Sequence, residues 1–318
     1  MQYTNLGRTG LTVSRLCLGT MNFGPRTEES DSHDIMDHAL AEGVNFFDTA
    51  DIYGPRGLTE EIVGRWLVQG KNREQVVLAT KLYQPMAEGK NDRGLSARHI
   101  VKACDASLRR LQTDWIDLYQ MHHIDRATPW DEIWQAMDTL VSQGKILYVG
   151  SSNFAGWHIT RAQETARARS SLGLVSEQSL YNLMARTIEL EVIPACEAYG
   201  VGLIPWSPLN RGVLGGMLRG DLGARRSNDE AQGFLNAHLD QVKEWEAYCD
   251  ELGAAPATVA LSWLLHQRAV TAPIVGPGTK AHFDAALDAL ELKLDDDALA
   301  RLDEIWPGPG PAPESYAW

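Results

Sequence analysis

Short apolar runs alternate along the chain with longer stretches whose hydrophobic residues recur at helical spacing. The runs Leu16–Leu18, Phe46–Phe47, Val76–Ala79, Ile116–Tyr119, Leu147–Val149, Leu174–Val175, Gly202–Pro205 and Pro273–Val275 read as strands. Continuous hydrophobicity over so few residues suits a strand covered on both faces. Between and after them, Ser30–Ala41, Thr59–Leu67, Ser96–Leu111, Trp130–Gln143, Ala155–Arg169, Glu189–Tyr199, Ala257–His266 and Lys280–Leu290 read as amphipathic helices. Several open on a Ser, Thr or Asp able to cap them, and Gly43, Gly70, Gly144 and Gly200 stand where helices should stop. Ahead of the first run, Tyr3–Leu6 and Thr12–Val13 flank a Gly7–Gly10 turn and predict a hairpin. Asp240–Leu252 predicts an extra helix packed outside, before the eighth unit.

Eight strand–helix units predict an α/β fold, a closed (β/α)8 TIM barrel with an N-terminal β-hairpin, occupying 1–318 as a single domain. An open parallel sheet more often shows a G-x-G-x-x-G turn after its first strand, and no such turn is present. Two segments fall outside the repeat: a Gly- and Arg-rich stretch from Arg211 to about Phe234, and the Pro/Gly-rich tail Pro307–Trp318. Both are expected over the mouth of the barrel, because long unpatterned loops in compact domains usually serve function.

Composition narrows the partners. With 44% hydrophobic and 22% charged residues the chain can bury a large core, and a net charge of -13 opposes binding to nucleic acid or anionic membrane. A small-molecule partner is the expectation. Cys17, Cys104, Cys196 and Cys249 stand far apart with no C-x-x-C pair, so reduced thiols in a cytoplasmic protein are expected. No basic segment and apolar h-region follow Met1, and no run approaches the roughly 18 apolar residues of a membrane span. No heptad or sticky edge marks an oligomeric state.

In barrels of this kind chemistry gathers where strands end at the C-terminal face. The residues just past the apolar runs are polar: Gly19-Thr20-Met21, Asp48-Thr-Ala-Asp-Ile-Tyr53, Thr80-Lys81, Gln120-Met-His122-His123, Ser151-Ser152-Asn153, Glu177-Gln178, Trp206-Ser207 and Gly276-Pro-Gly278-Thr279-Lys280. Asp48, Tyr53, Lys81 and His122 come from three neighbouring strands, so they can converge. An ammonium beside a phenol lowers its pKa, so Lys81 is expected to make Tyr53 a usable acid, with Asp48 holding Lys81 and His122 polarising a carbonyl oxygen. Alternation along the strand sends His122 and His123 to opposite faces, and His122 is assigned to the interior. Taken singly, an Asp–Lys pair is as readily structural as catalytic, and Trp206 alone reads as a core residue before a solvent loop. In context, the Trp206 face can stack on a flat heterocycle, while Ser207, Leu209 and Arg211 follow where a pyrophosphate would meet amides and a guanidinium. The free amides opening the last helix, with Lys280, also suit an anion. Phe23, Tyr83 and Trp130 are candidate pocket walls.

These residues carry a resemblance. The chain resembles the aldo-keto reductases, most of all bacterial members with a long N-terminal hairpin, from about Tyr3 to Trp318. The likeness rests on Asn45-Phe-Phe-Asp48-Thr-Ala-Asp-Ile-Tyr53-Gly54, Lys81, Asp117-Leu-Tyr-Gln-Met-His122 and Gly150-Ser-Ser-Asn153-Phe154. It implies a catalytic tetrad of Asp48, Tyr53, Lys81 and His122, with Tyr53 the proton donor in carbonyl reduction. It further implies that Ser152, Asn153 and Gln178 hold a nicotinamide carboxamide, that Trp206 stacks on the ring, and that the cofactor lies extended across the mouth. Similar members carry Arg, Gln and Asn where this chain has Gly278, His282 and Ala286, around the adenosine 2′-phosphate. Thr279, Lys280 and His282 remain to meet that phosphate, so NADP(H) is favoured and NAD(H) stays possible. Two other readings stand beside this one. One is a metal-dependent barrel enzyme using Asp48, Asp51, His122 and His123, against which the adjacent-histidine spacing argues. The other is a nicotinamide-sensing subunit, because regulatory partners of potassium channels are similar to this family.

Overall fold

The computed structural model describes residues 1–219 and 229–317. The chain opens on an antiparallel pair, β1 (Tyr3–Asn5) and β2 (Thr12–Ser14). Six strands then alternate with six helices: β3 (Cys17–Gly19), α1 (Glu29–Ala41), β4 (Phe46–Asp48), α2 (Leu58–Leu67), β5 (Val77–Leu82), α3 (Ala97–Leu111), β6 (Ile116–Met121), α4 (Trp130–Ser142), β7 (Ile146–Ser152), α5 (Gly156–Ala168), β8 (Leu174–Gln178) and α6 (Val192–Tyr199). After β9 (Gly202–Leu203) come α7 (Asp229–Ala237), α8 (Leu239–Glu251) and α9 (Pro256–His266), then β10 (Ile274–Val275), α10 (Lys280–Leu287), α11 (Asp296–Ile305) and α12 (Glu314–Ala317).

The parallel strands run in the order β10-β3-β4-β5-β6-β7-β8-β9. The two ends meet: Leu203 bridges Val270, Thr271 N–H donates to Leu203 O at 2.8 Å, and Ile274 N–H donates to Pro205 O at 2.8 Å. The sheet therefore closes, as the eight-fold repeat predicts. Local chemistry accounts for the helix ends. The Ser96 hydroxyl accepts from His99 N at the start of α3, and the four glycines expected as helix stops all have positive φ. Three helices were not foreseen. Of these, α11 hides behind an Asp-rich run in which Asp295 caps the helix by accepting from Ala298 N at 2.9 Å.

The interior is layered. Cys17, Phe46, Val77, Ala79, Leu118, Val175, Ile204 and Ala272 point inward and fill the lower barrel, and Leu6 and Val13 of the hairpin join the same cluster and plug its N-terminal end. Gly7, at φ +54°, is needed there, because a Cβ would lie 2.5 Å from Val175 O. Truncating Phe46, fully buried in this floor, would cost about 3–5 kcal/mol. Alternation places Gly19, Asp48, Lys81, Gln120 and Gln178 one layer above, so the barrel changes from apolar to polar as it reaches its mouth. Gly19 lets β3 and β10 approach there, since its Cβ would meet Ile274 Cγ2 at 2.5 Å.

The tail does not cover the mouth as expected. Trp306 O accepts from Arg186 Nη1 at 3.0 Å and Tyr316 OH donates to Glu191 Oε1 at 2.9 Å, which anchor it to the segment after β8. None of its described residues lines the cavity. The stretch Arg211 to Phe234 lies partly outside the described residues; of its described part, Arg211 reaches the mouth. Among the described residues no helix is long and apolar enough to cross a membrane.

Candidate active site

The polar layer converges on one carboxylate. Asp48 ends β4, and its Oδ2 accepts from Lys81 Nζ at 2.5 Å. Its Oδ1 accepts from Gln120 Nε2 at 3.0 Å and from Gln178 Nε2 at 2.9 Å. Both members of the ion pair are buried, with side-chain exposures of 0% and 3%, so the pair survives in a dry site because the remaining acceptor sites are also filled. Lys81 Nζ donates twice more, to Thr49 O at 2.8 Å and to Tyr53 OH at 3.2 Å. An ammonium has three protons, and all three are now assigned. The Tyr53 oxygen is therefore an acceptor toward Lys81, and its own proton is left to point into the cavity.

Two turns hold that phenol. Tyr53 N–H donates to Ala50 O and Thr59 N–H to Tyr53 O, each at 3.2 Å. His122 follows β6, pinned by its N–H to Leu82 O at 2.9 Å, with its ring edge-on to Tyr53 at 5.9 Å between centroids. It lines the cavity. The neighbouring His123 turns away and packs on Tyr83 at 5.4 Å, as strand alternation predicts.

Electrostatics corrects one expectation. Burial raises the Tyr53 pKa above the phenol's ordinary value and outweighs the Lys81 ammonium, which pulls it down. Tyr53 is thus a firmly protonated donor rather than an acidified phenol. Burial opposes the charge on Lys81, but Asp48 and Tyr53 together hold its pKa above the usual value. His122 is pushed down to about 3 by burial and by the Lys81 charge, so its imidazole is neutral, and its buried Nδ1 has no partner among the described residues.

Above this corner lies a cavity of about 490 Å³, within the roughly 300–1,000 Å³ of small-molecule sites. Of the residues singled out in the sequence, Gly19, Thr20, Met21, Asp48, Tyr53, His122, Ser152, Asn153, Gln178, Trp206, Ser207, Arg211 and Gly276 line it. Lys81 sits beneath, touching the cavity through Tyr53. Trp206 has its plane set by an indole N–H bond to Asn153 Oδ1 at 3.1 Å, and Asn153 Nδ2 in turn donates to His122 O at 3.2 Å and Ser152 Oγ at 2.9 Å. Ser207, Asn210 and Arg211 all have positive φ, strain that the Asn182 Nδ2 bond to Ser207 O at 2.9 Å helps hold.

Other expected residues stay outside the cavity wall. Leu209 is half-buried and packs against the hydrophobic core, and Gly278, Thr279, Lys280 and His282 are exposed where α10 begins. Thr279 caps that helix, and Lys280 reaches Asp34 at 3.5 Å. The three candidate walls are also elsewhere: Phe23 is fully buried, Trp130 packs edge-on to Phe154 at 5.9 Å, and Tyr83 faces His123. Conversely Asn22, Arg26, Pro208 and Ile274 line the cavity without having been singled out. Asn22 and Arg26 lie in the loop after the first barrel strand, so the strand-end rule reached too short a distance there.

Two buried acids surround the site. Asp51 is fully buried, neither carboxylate oxygen has a side-chain partner among the described residues, and burial plus the Glu60 charge push its pKa up to about 8. Glu177 is pushed up to about 7 by burial; it accepts from Ser151, from Ser179 Oγ at 2.7 Å and from Phe154 N at 3.1 Å, and so fixes the backbone that carries Ser152 and Asn153. Asp48, Asp51, His122 and His123 do not gather: among the described residues no group of three or more His, Cys, Asp or Glu could hold a metal ion. The four cysteines are free and buried.

Residues 15–307 match the profile of the Aldo/keto reductase family. The chain belongs to that family of oxidoreductases. An aldo/keto reductase relative from Bacillus subtilis, described as an uncharacterized oxidoreductase YrpG, is 52% identical over 100% of both chains. Versiconal hemiacetal acetate reductase of Aspergillus parasiticus is 36% identical over 96% of each. A probable voltage-gated potassium channel subunit beta of Arabidopsis thaliana is 32% identical over 99% of this chain and 100% of its own.

Proposed function

We propose that this aldo/keto reductase reduces the carbonyl of an aldehyde, ketone or open-chain sugar to an alcohol with NADP(H), NAD(H) being the possible alternative. When bound, the dihydronicotinamide supplies a hydride to the carbonyl carbon. The chain's own residues do the rest. Tyr53 gives its proton to the carbonyl oxygen, the adjacent Lys81 ammonium stabilises the phenolate left behind, and Asp48 keeps that ammonium charged and in place. Neutral His122 orients the carbonyl oxygen by a hydrogen bond rather than by charge. The residues present fit a nicotinamide. Trp206 offers a face of fixed orientation, and Ser152, Asn153 and Gln178 offer amide and hydroxyl groups suited to a carboxamide. Gly276 and the turn Ser207–Arg211 would meet the diphosphate, with Gly278, Thr279, Lys280 and His282 toward a 2′-phosphate. One domain over 1–318 and a cytoplasmic setting complete the reading, which four reduced thiols suit.

The observation that carries the proposal is that every Lys81 proton is committed, leaving the Tyr53 hydroxyl to donate outward. Tyr53→Phe should lower turnover about 10²–10⁴-fold, the usual worth of a general acid, while the dissociation constant for NADPH changes less than about twofold. Near-normal reduction of a panel of aldehydes, ketones and aldoses by the variant would overturn it. The potassium-channel-subunit relatives favour a second reading, a nicotinamide-sensing subunit with little turnover. Tight cofactor retention through purification, with negligible reduction of every carbonyl tried, would select it.

A further inference from the structure

Gln120 is a fully buried amide in the middle of the polar layer, with no part yet in the chemistry. In the parallel register it stands between Lys81 of β5 and Gly150 of β7, and it reaches past Lys81 to Asp48, two strands away on β4. Gly150 makes room for that crossing, since a Cβ there would lie 3.1 Å from Gln120 Cγ. A carboxylate only accepts, so the amide nitrogens of Gln120 and Gln178 must face Asp48 Oδ1, at 3.0 and 2.9 Å. The Gln120 oxygen is then turned the other way and accepts from Gln178 Nε2 at 3.3 Å. The two amides lock each other in one orientation, and the remaining Asp48 oxygen is held toward the Lys81 ammonium at 2.5 Å.

What this does for proton transfer follows from charge. When Tyr53 gives up its proton, its phenolate and Asp48 become two anions sharing one ammonium. Asp48 opposes that loss, adding to the burial that raises the Tyr53 pKa, while Lys81 lowers it. Any turn of the ammonium toward the phenolate strips charge from Asp48 Oδ2 in a dry site, where an unpaired anion is costly. Neutral N–H donors on Oδ1 lower that cost at the moment it arises. A hydrogen bond that strengthens as the phenolate forms favours the transition state over the bound substrate.

We propose that Gln120 is a positioning residue for proton donation by Tyr53: it holds Asp48 toward Lys81 and takes up the Asp48 charge as the ammonium turns to the phenolate. This rests on the carbonyl-reduction reading above. Gln120 itself is not part of the cavity wall, so it acts through Asp48 rather than by touching either reactant.

The test uses the full-length protein, NADPH and the best-reduced carbonyl of the panel above, with Gln120→Leu, which removes the donor, and Gln120→Glu, which keeps the shape but donates only while protonated. Gln120→Leu should lower kcat about 10–100-fold, the worth of a hydrogen bond to a buried charge, while KM for the carbonyl and Kd for NADPH change less than about twofold. Gln120→Glu should stay within about threefold of the parent near pH 5, where a proton shared with Asp48 lets it donate, and lose kcat toward about pH 8 as the two carboxylates ionise. The parent should lack that limb. Lys81, Tyr53 and the buried Cys17 thiol, which share this corner with Asp48, are all held above their ordinary pKa values, and His122 is pushed down to about 3, so none of them titrates in that range. A Gln120→Leu protein with the parent's kcat and only a lower melting temperature, or a Gln120→Glu profile parallel to the parent's, would reduce Gln120 to packing and overturn the proposal. Should Gln120→Leu fail to fold, the Gln120→Glu profile decides alone. A parent protein that reduces no carbonyl defeats the reading of the reaction itself, and this inference with it, before any variant is compared.

Discussion

The two sides of the barrel mouth are built on opposite principles. On the β4–β6 side, Asp48, Lys81 and Gln120 are dry and joined by hydrogen bonds, with half-buried Tyr53 bonded to Lys81 at their edge. On the β10 side, Gly276, Thr279, Lys280 and His282 are exposed, and the Lys280 ammonium pairs only loosely with Asp34 across 3.5 Å. The first arrangement sets donor geometry before any ligand arrives, so little reorganisation remains for the reaction. The second leaves amides and cations to water until an anion displaces it. Under the proposed function, chemistry falls where the scaffold is stiff, and recognition of the dinucleotide where side chains are exposed.

Removing the ion pair is the harshest challenge to this contrast. Lys81→Met would strand Asp48 in a dry site, with an expected cost of about 3–5 kcal/mol in urea unfolding and a loss of about 10³-fold or more in carbonyl reduction. A variant that stayed stable and active would show that the dry corner is not prearranged as described. Next in size is the burden that dryness places on Asp51. Its folded pKa of about 8 lies above that of the unfolded carboxyl, so the stability it allows is full at low pH and is lost as pH rises toward 8. Asp51→Asn should therefore gain more over the parent at pH 8 than at pH 5 in denaturant midpoints; parallel pH dependences would remove the effect. Trp206→Ala, on the boundary between the two sides, should raise the dissociation constant for NADPH about tenfold through lost stacking. The smallest effect belongs to the wet side. Lys280→Ala should weaken NADPH about two- to threefold and leave NADH alone, as for other exposed charges, and an equal loss for both would detach Lys280 from any 2′-phosphate.

The same contrast explains what could be read along the chain. The barrel was legible because each strand–helix unit repeats one burial pattern, and Asp48, Tyr53, Lys81 and His122 were legible because each stands just past an apolar run. Gln120 was named among the strand-end residues but given no role, although it completes the Asp48 carboxylate, since a buried polar residue inside a strand announces itself only through its partners. The net direction of the Tyr53 shift was also hidden. It depends on how much water the fold removes, and the sequence shows the neighbouring charge but not the dryness. Trp130, Phe23 and Tyr83 look like pocket walls by type, yet each finds an aromatic or core neighbour that the sequence does not reveal. Arg26 lay beyond the few residues the strand-end rule covers, in a turn whose bend is set by Asn22.

The hairpin that inserts Leu6 and Val13 has a kinetic meaning under the proposed activity. Among the described residues a vessel stoppered at its base opens at its mouth, so under that activity dinucleotide and carbonyl compound would share one route in and out. A substrate resting over the nicotinamide would then block its exchange, and the proposed activity would follow a compulsory order, cofactor first to arrive and last to depart.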